Sequence, residues 1–460
     1  MDLMKQRARL LILAATPIAA AVGVFACSSD EERPYFVALA DGGSDAPATS
    51  IESGAAPGDG GVTDARVPFD AADEPIACTA KPCVTQLVAG LEHFCALLED
   101  KTVRCWGGDI ALGTLDGGSS LARPISMGLW DVEQISAGGY TTCARLTAGT
   151  VKCWGTSFGN ELGLEPPGPD YDSHDPTTVA RDGGALDGFV RVDVGRSGVT
   201  FAVKTSGELW SWGNNRTNAL GRPRELDFWG DAWLGPGPVT YLAGESVASA
   251  GGVSTSSSDS VAFAITSDRR LRTWGTSNQM VAYPGPVPTV VDGLENVGSV
   301  AATETNICAV ADGYLYCWGK NGLLACTGSP SAATSPIAIS TRSEVSAQQV
   351  SLGVNNTCVR LTDGTVECCG NDKRGQLGRA ASDAGSSPSS SAAILTQANA
   401  FTGYAVQVAV GSTTVCALVQ GERCSAGEAT RRASSVRERS TNSDTQRRSP
   451  STSIEARKTP

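Results

Sequence analysis

Apolar and polar residues alternate along most of this chain with a period of two, in short runs broken by Gly, Asp and Pro. That period predicts β-strands. Helical periodicity is weak after residue 30, so a helical solenoid is not expected. The strands recur as one hairpin. It reads CALLEDKTVRCWG from Cys95, CARLTAGTVKCWG from Cys143, CAVADGYLYCWG from Cys308 and CVRLTDGTVECCG from Cys358. Two copies lack both cysteines, FAVKTSGELWSWG from Phe201 and FAITSDRRLRTWG from Phe263, and a seventh, damaged copy starts at Cys416. An apolar run ending near Gly precedes each hairpin, as in VTQLVAG and VEQISAGG. A Leu-Gly pair often follows, at Leu112-Gly113, Leu162-Gly163, Leu220-Gly221 and Leu377-Gly378. Three or four strands per unit of about 50 residues fit one blade of a β-propeller.

The turns set the register. Gly149, Gly207 and Gly364 stand where a three-residue hairpin loop needs a left-handed residue. The Cys308 unit is one residue shorter, and its loop becomes Asp312-Gly313, a favoured two-residue turn. Counting outward places Cys95 opposite Cys105, Cys143 opposite Cys153, Cys308 opposite Cys317 and Cys358 opposite Cys368. Each pair should occupy a non-hydrogen-bonded site, close enough for a disulfide. Where one cysteine of a pair is missing so is the other, because Phe201 faces Ser211 and Phe263 faces Thr273. Cys78 and Cys83 form a further possible pair, and Cys416 and Cys424 another. Cys369 stands where other repeats have Trp, either as a buried thiol or bonded to Cys326.

Cysteine usage then points to a compartment. Lys5, Arg7 and Arg9 precede an apolar run from Leu10 to Ala26, the pattern of a secretory signal peptide. The run ends Val24-Phe25-Ala26-Cys27, which resembles a bacterial lipoprotein signal with Cys27 as the acylated residue. The reading is a signal over residues 1–26, with the protein tethered in the bacterial cell envelope, at the outer membrane or cell surface, where disulfides persist. Residues 27–76 form an acidic linker; from 28 to 76 there are 11 acidic residues and two basic ones. Such a segment has little to bury and is expected to be disordered. Residues 77–424 hold the seven repeats. Residues 425–460 are rich in Arg, Ser and Thr, and read either as a disordered basic tail or as the product of an altered reading frame near residue 421.

The repeated hairpin with Cys-Trp-Gly and Leu-Gly resembles the regulator of chromosome condensation repeat in a bacterial secreted form. The resemblance covers about three quarters of the chain. It implies an all-β, seven-bladed β-propeller with one repeat per blade. It also implies that Trp106, Trp154, Trp212, Trp274 and Trp318 hold equivalent positions and pack between blades. The substitution of Cys369 for Trp and the broken seventh copy leave closure of the ring open.

Little in the chain suggests catalysis. The two histidines, His93 and His174, lie far apart, and no zinc-protease, phosphate-loop or serine-hydrolase motif is present. The acidic clusters near Asp41 and Asp59 lack calcium-loop spacing. The expectation is a non-catalytic protein without cofactor or metal. A net charge of −12 argues against a nucleic-acid partner. The aromatic-rich insertion in the third repeat, with Arg224, Phe228, Trp229 and Trp233, is the candidate binding segment. The expected function is a membrane-tethered binding scaffold for a protein or glycan. The resemblance also implies two alternatives: guanine-nucleotide exchange, as eukaryotic relatives perform, and inhibition of a secreted enzyme.

Overall fold

A computed structural model describes residue 76 and residues 83–427, apart from segments at 109–120, 166–170, 224–232, 255–259, 277–284, 322–325, 329–330, 342–344, 374, 380–390, 400, 402 and 421–424. The signal, Cys27, Cys78, most of the linker and the tail from 428 therefore lie outside the described residues.

The chain folds as an all-β propeller. Six antiparallel sheets of four strands follow one another over 84–126, 132–178, 189–238, 247–290, 297–339 and 347–397, each pairing its strands in chain order. We number them blades 1 to 6. A small hairpin, Ala180–Arg181 with Gly184–Ala185, separates blades 2 and 3. Among the described residues the one helical turn is Thr240–Leu242, and no helix is long and apolar enough to cross a membrane.

The expectation of seven full blades is corrected to six. The seventh repeat supplies a sheet of three strands, Ala405–Val410, Val415–Val419 and Ser425–Gly427. Its hairpin lacks the Trp-Gly ending, and its register differs: Cys416 lies opposite Ala426 rather than Cys424. The first blade nevertheless packs on this last sheet. Leu87, Phe94 and Trp106 share one core cluster with Val406, Ala409 and Leu418.

The repeated sequence features have identifiable structural causes. Cys95–Cys105, Cys143–Cys153 and Cys358–Cys368 face each other across their hairpins, as does Cys308–Cys317, and all four pairs are disulfides with Cα atoms 4.1 Å apart. Phe201 faces Ser211 and Phe263 faces Thr273 in the same register. Cys83 is also disulfide-bonded. The Gly after Trp is required by geometry. Gly213 has φ +120°, and a Cβ there would lie 2.3 Å from the carbonyl oxygen of Gly198. The third strand bulges at this point in all six blades.

Tryptophans fill the junctions between blades. Trp154, Trp212 and Trp274 are fully buried, each in a cluster shared with the preceding blade. Trp212 Nε1 donates to the Glu161 carbonyl oxygen (2.8 Å), and Trp274 Nε1 to that of Ala219 (2.9 Å). Those carbonyls stand just before Leu162-Gly163 and Leu220-Gly221. A Cβ on Gly163 would touch the Trp212 ring at 3.0 Å, so the glycine makes room for the next blade's indole. In blade 6 the Trp is replaced by Cys369, which bonds to Cys326 of blade 5. Both sulfurs are buried in the cluster between those blades, so a covalent link stands in for the indole.

Candidate functional site

The innermost strand of every sheet lines the central axis. In all seven the strand carries a bulge after its first residue, so the third residue leaves the regular alternation. Such a bulge re-aims a side chain. The third residues are Gln86, Gln134, Arg191, Ser249, Ser299, Gln349 and Gln407. Most of them join one blade to the next. Ile135 N–H donates to Gln86 Oε1 (2.8 Å), Val192 N–H to Gln134 Oε1 (2.9 Å), Val350 N–H to Ser299 Oγ (3.1 Å) and Val408 N–H to Gln349 Oε1 (2.8 Å). Leu87 N–H donates to Gln407 Oε1 (2.8 Å), which carries the same bond across from the seventh sheet to blade 1.

Blade 3 departs from this rule. Arg191 cannot accept a hydrogen bond. Instead Arg191 Nε donates to both carboxylate oxygens of Asp193 (2.9 and 2.8 Å), and Asp193 Oδ2 accepts from Ala250 N–H (3.1 Å). The junction is kept, and the substitution leaves an arginine at the axis.

Two contiguous chambers lie along that axis. The one at the start of the inner strands has a volume of about 400 Å³. Its charged lining residues are Arg191, Asp193, Arg269 and Arg360, beside Gln348, Gln349 and Gln407. The other, of about 300 Å³, is lined by the ends of the inner strands, with Arg196 as its cation. Arg196 reaches across the ring. Its Nη1 donates to the Leu352 carbonyl oxygen of blade 6 (3.2 Å), and Glu304 Oε1 lies 3.6 Å from its Nε. Nε and Nη2 are buried and make no hydrogen bond. Burial pushes the Arg196 pKa down, and Glu304 opposes that shift.

Glu161 holds the segment that carries Arg196. It is 4% exposed. Its Oε2 accepts from Ser157 Oγ (2.6 Å) and Gly159 N–H (2.7 Å), and its Oε1 accepts from Gly198 N–H (2.7 Å). One carboxylate thus ties the blade 2 loop to the turn just after Arg196. Sequence reading missed it; its one signal is an acid directly before a Leu-Gly pair.

The sequence candidates are dispersed. Arg224, Phe228 and Trp229 lie outside the described residues. Trp233 opens the outer strand Trp233–Pro238 of blade 3, half-buried and opposite Asn214. His93 is fully buried, with Nε2 2.6 Å from Thr142 Oγ1 in blade 2. Burial lowers its pKa to about 4, so it is neutral at pH 7 and structural. The side chain of His174 is not described. No group of three or more His, Cys, Asp or Glu side chains among the described residues could hold a metal ion.

Comparison with known proteins supports the repeat. No curated protein matches the chain. Among solved structures, human WBSCR16 aligns with a TM-score of 0.58 at 18% identity, over 74% of this chain and 88% of that one. Prp20p of Saccharomyces cerevisiae, described with its binding to Gsp1p and histones, aligns with a TM-score of 0.58 at 20% identity, over 73% of this chain and 82% of that one. Yeast RCC1 (Prp20) in complex with Kap60 gives 0.58 at 19%, over 73% and 80%. These likenesses concern the fold. The Regulator of chromosome condensation (RCC1) repeat family matches residues 84–109, 132–160 and 347–376, within blades 1, 2 and 6. The chain therefore carries regulator of chromosome condensation repeats, and they fold here as blades of a β-propeller.

Proposed function

We propose that the protein is a non-catalytic binding scaffold of the bacterial cell envelope, tethered through a lipid on Cys27, with a protein or glycan as partner. The observation that carries this reading is the series of disulfides inside the cysteine-bearing blades. Four of them staple hairpins and a fifth joins two blades. Bonds of this kind persist where the medium is oxidising, in keeping with the signal-like N-terminus. A rigid ring with loops at both rims suits recognition, and Prp20p, which shares the fold, was studied for binding to proteins. Fold alone does not transfer a partner.

The insertion with Arg224, Phe228, Trp229 and Trp233 is the proposed contact segment. Guanine-nucleotide exchange is the second reading. It rests on the repeat family, but its substrates are cytosolic. Inhibition of a secreted enzyme is the third. Cell fractionation separates the exchange reading from the other two, and affinity capture from outer-membrane and secreted fractions separates the scaffold from the inhibitor. A partner should be retained by the native chain and its capture weakened by roughly tenfold or more with Trp229→Ala plus Trp233→Ala, since truncating one buried interface aromatic typically costs about 2 kcal/mol or more. Capture unchanged by the double substitution contradicts the proposed contact segment, and fractionation that places the chain in the cytosol contradicts the envelope reading.

A further inference from the structure

The junctions between neighbouring sheets are filled by a residue from the third strand of the later sheet. Trp154, Trp212, Trp274 and Trp318 fill the junctions from blade 1 through blade 5 in turn. Trp106 fills the junction between the seventh sheet and blade 1, and Cys369, bonded to Cys326, fills that between blades 5 and 6. Register defines this position. Each such residue faces the second-strand residue just before the Cys or Phe position, as Trp106 faces Phe94, Trp274 faces Ala262 and Cys369 faces Thr357. In the seventh sheet the matching second-strand residue is Val415, and it faces Gly427. The junction between blade 6 and the seventh sheet therefore receives no side chain from this position. The rest of the tail has no ring to offer, because Trp318 is the last tryptophan and Tyr404 the last aromatic residue of the chain.

The remainder of the socket persists. Around Trp274 the wall is made by Leu209, Leu220, Val239, Ala262 and Ala264. The matching residues at the blade 6 junction are Val366, Leu377, Ala398, Val415 and Ala417, which share one buried cluster. Their backbone is held in the same way: Val239 N–H donates to the Leu209 carbonyl oxygen (2.8 Å), and Ala398 N–H to that of Val366 (2.9 Å). Gly378 ends the Leu-Gly pair at φ +64°, as Gly221 does at +61°. These five residues and Gly378 line a narrow slot of about 20 Å³. Phe401 lines it too, where the sister junction has the smaller Leu242. Phe401 is half-buried, so a ring enters as that side chain turns outward. Apolar cavities that lack one large side chain exclude water and take up small aromatic molecules, and burial of the ring's apolar area supplies the affinity.

We infer that the socket between blade 6 and the seventh sheet binds a small planar aromatic molecule of about the size of indole, the ring that the sister junctions carry on the chain itself. This site is separate from the proposed partner-contact segment and does not depend on it.

The test is titration of 5-fluoroindole with the full chain, followed by fluorine NMR. Saturable binding at one site per chain is expected. Gly427→Trp returns an indole to the position that faces Val415. It should raise the melting temperature, since filling a cavity stabilises a fold, and it should abolish binding of the probe. Phe401→Leu installs the residue of the sister junction, widens the slot and should tighten binding. Absence of saturable binding to the native chain overturns the proposal, as does affinity unchanged in both variants.

Discussion

Replacing Glu161 with Ala is the most searching test of how the blades are held together. The carboxylate is 4% exposed and accepts from Ser157 Oγ, Gly159 N–H and Gly198 N–H. Removing it leaves two buried backbone N–H groups and a hydroxyl without their acceptor. A buried donor left unsatisfied costs about 1–3 kcal/mol. The two amides set the scale, because the hydroxyl can rotate toward another acceptor. Glu161→Ala should therefore lose about 3–5 kcal/mol. With an unfolding entropy of about 2.1 cal/mol/K per residue over the roughly 350 residues that the seven repeats span, that corresponds to a fall in melting temperature of about 4–7 °C. Glu161→Gln keeps one acceptor oxygen but turns an NH₂ toward a donor, and should lose about half as much. Differential scanning calorimetry at pH 7 measures both. The Ala variant melting within 1 °C of the native chain would refute the reasoning, because the amides would then have found other partners. Because Gly198 follows Arg196 by two residues, the same substitution should loosen the Arg196 contact with the Leu352 carbonyl.

Two further predictions concern pH and cross-linking. His93 has a folded-state pKa lowered to about 4 against 6.5 when unfolded, so below pH 6.5 the unfolded state binds the proton more readily. Stability should be full above pH 6.5 and fall by up to about 3 kcal/mol on acidification to pH 4. His93→Asn, the residue at the matching position of two sister repeats, should flatten that part of the pH profile in thermal melts; an unchanged slope would contradict it. Among the five bonds whose two cysteines are both described, Cys326–Cys369 closes the longest loop, with a sequence separation of 43 against 9 or 10 in the hairpins. On the chain-entropy account Cys326→Ser should cost about 4 kcal/mol, against about 2.7 for a hairpin bond, and urea midpoints of single Cys→Ser variants test that order.

Local patterns in the sequence carried the hairpins, because a period of two and a turn residue are local. Gly149 and Gly364 are left-handed at φ +77° and +78°, and Asp312 and Gly313 are both left-handed in the two-residue turn. The facing of Cys143 with Cys153 follows from that count. The pairing of Cys326 with Cys369 was one of two readings the sequence allowed, since it joins two blades through a loop whose length the hairpin count does not fix. The site was less legible than the fold. Arg191, Arg269 and Arg360 are scattered over 170 positions and converge only once the ring is formed. The signal that could have found Arg191 is its misfit with the Gln or Ser of its six sister repeats, which requires a register accurate to one residue. The seventh sheet marks the other limit. A missing Trp-Gly predicted a damaged hairpin, but not that Gln407 would still reach Leu87 and tie the last sheet to the first.

The central claim, a disulfide-stapled propeller held at the cell envelope, is tested most directly by fractionating the native host and mapping peptides without reduction. The account predicts that the chain is found in the envelope fraction, with a lipid on Cys27. It also predicts linked peptides joining Cys95 to Cys105, Cys143 to Cys153, Cys308 to Cys317, Cys358 to Cys368 and Cys326 to Cys369. A chain recovered from the cytosol with free thiols at these ten positions and an unmodified Cys27 would contradict it.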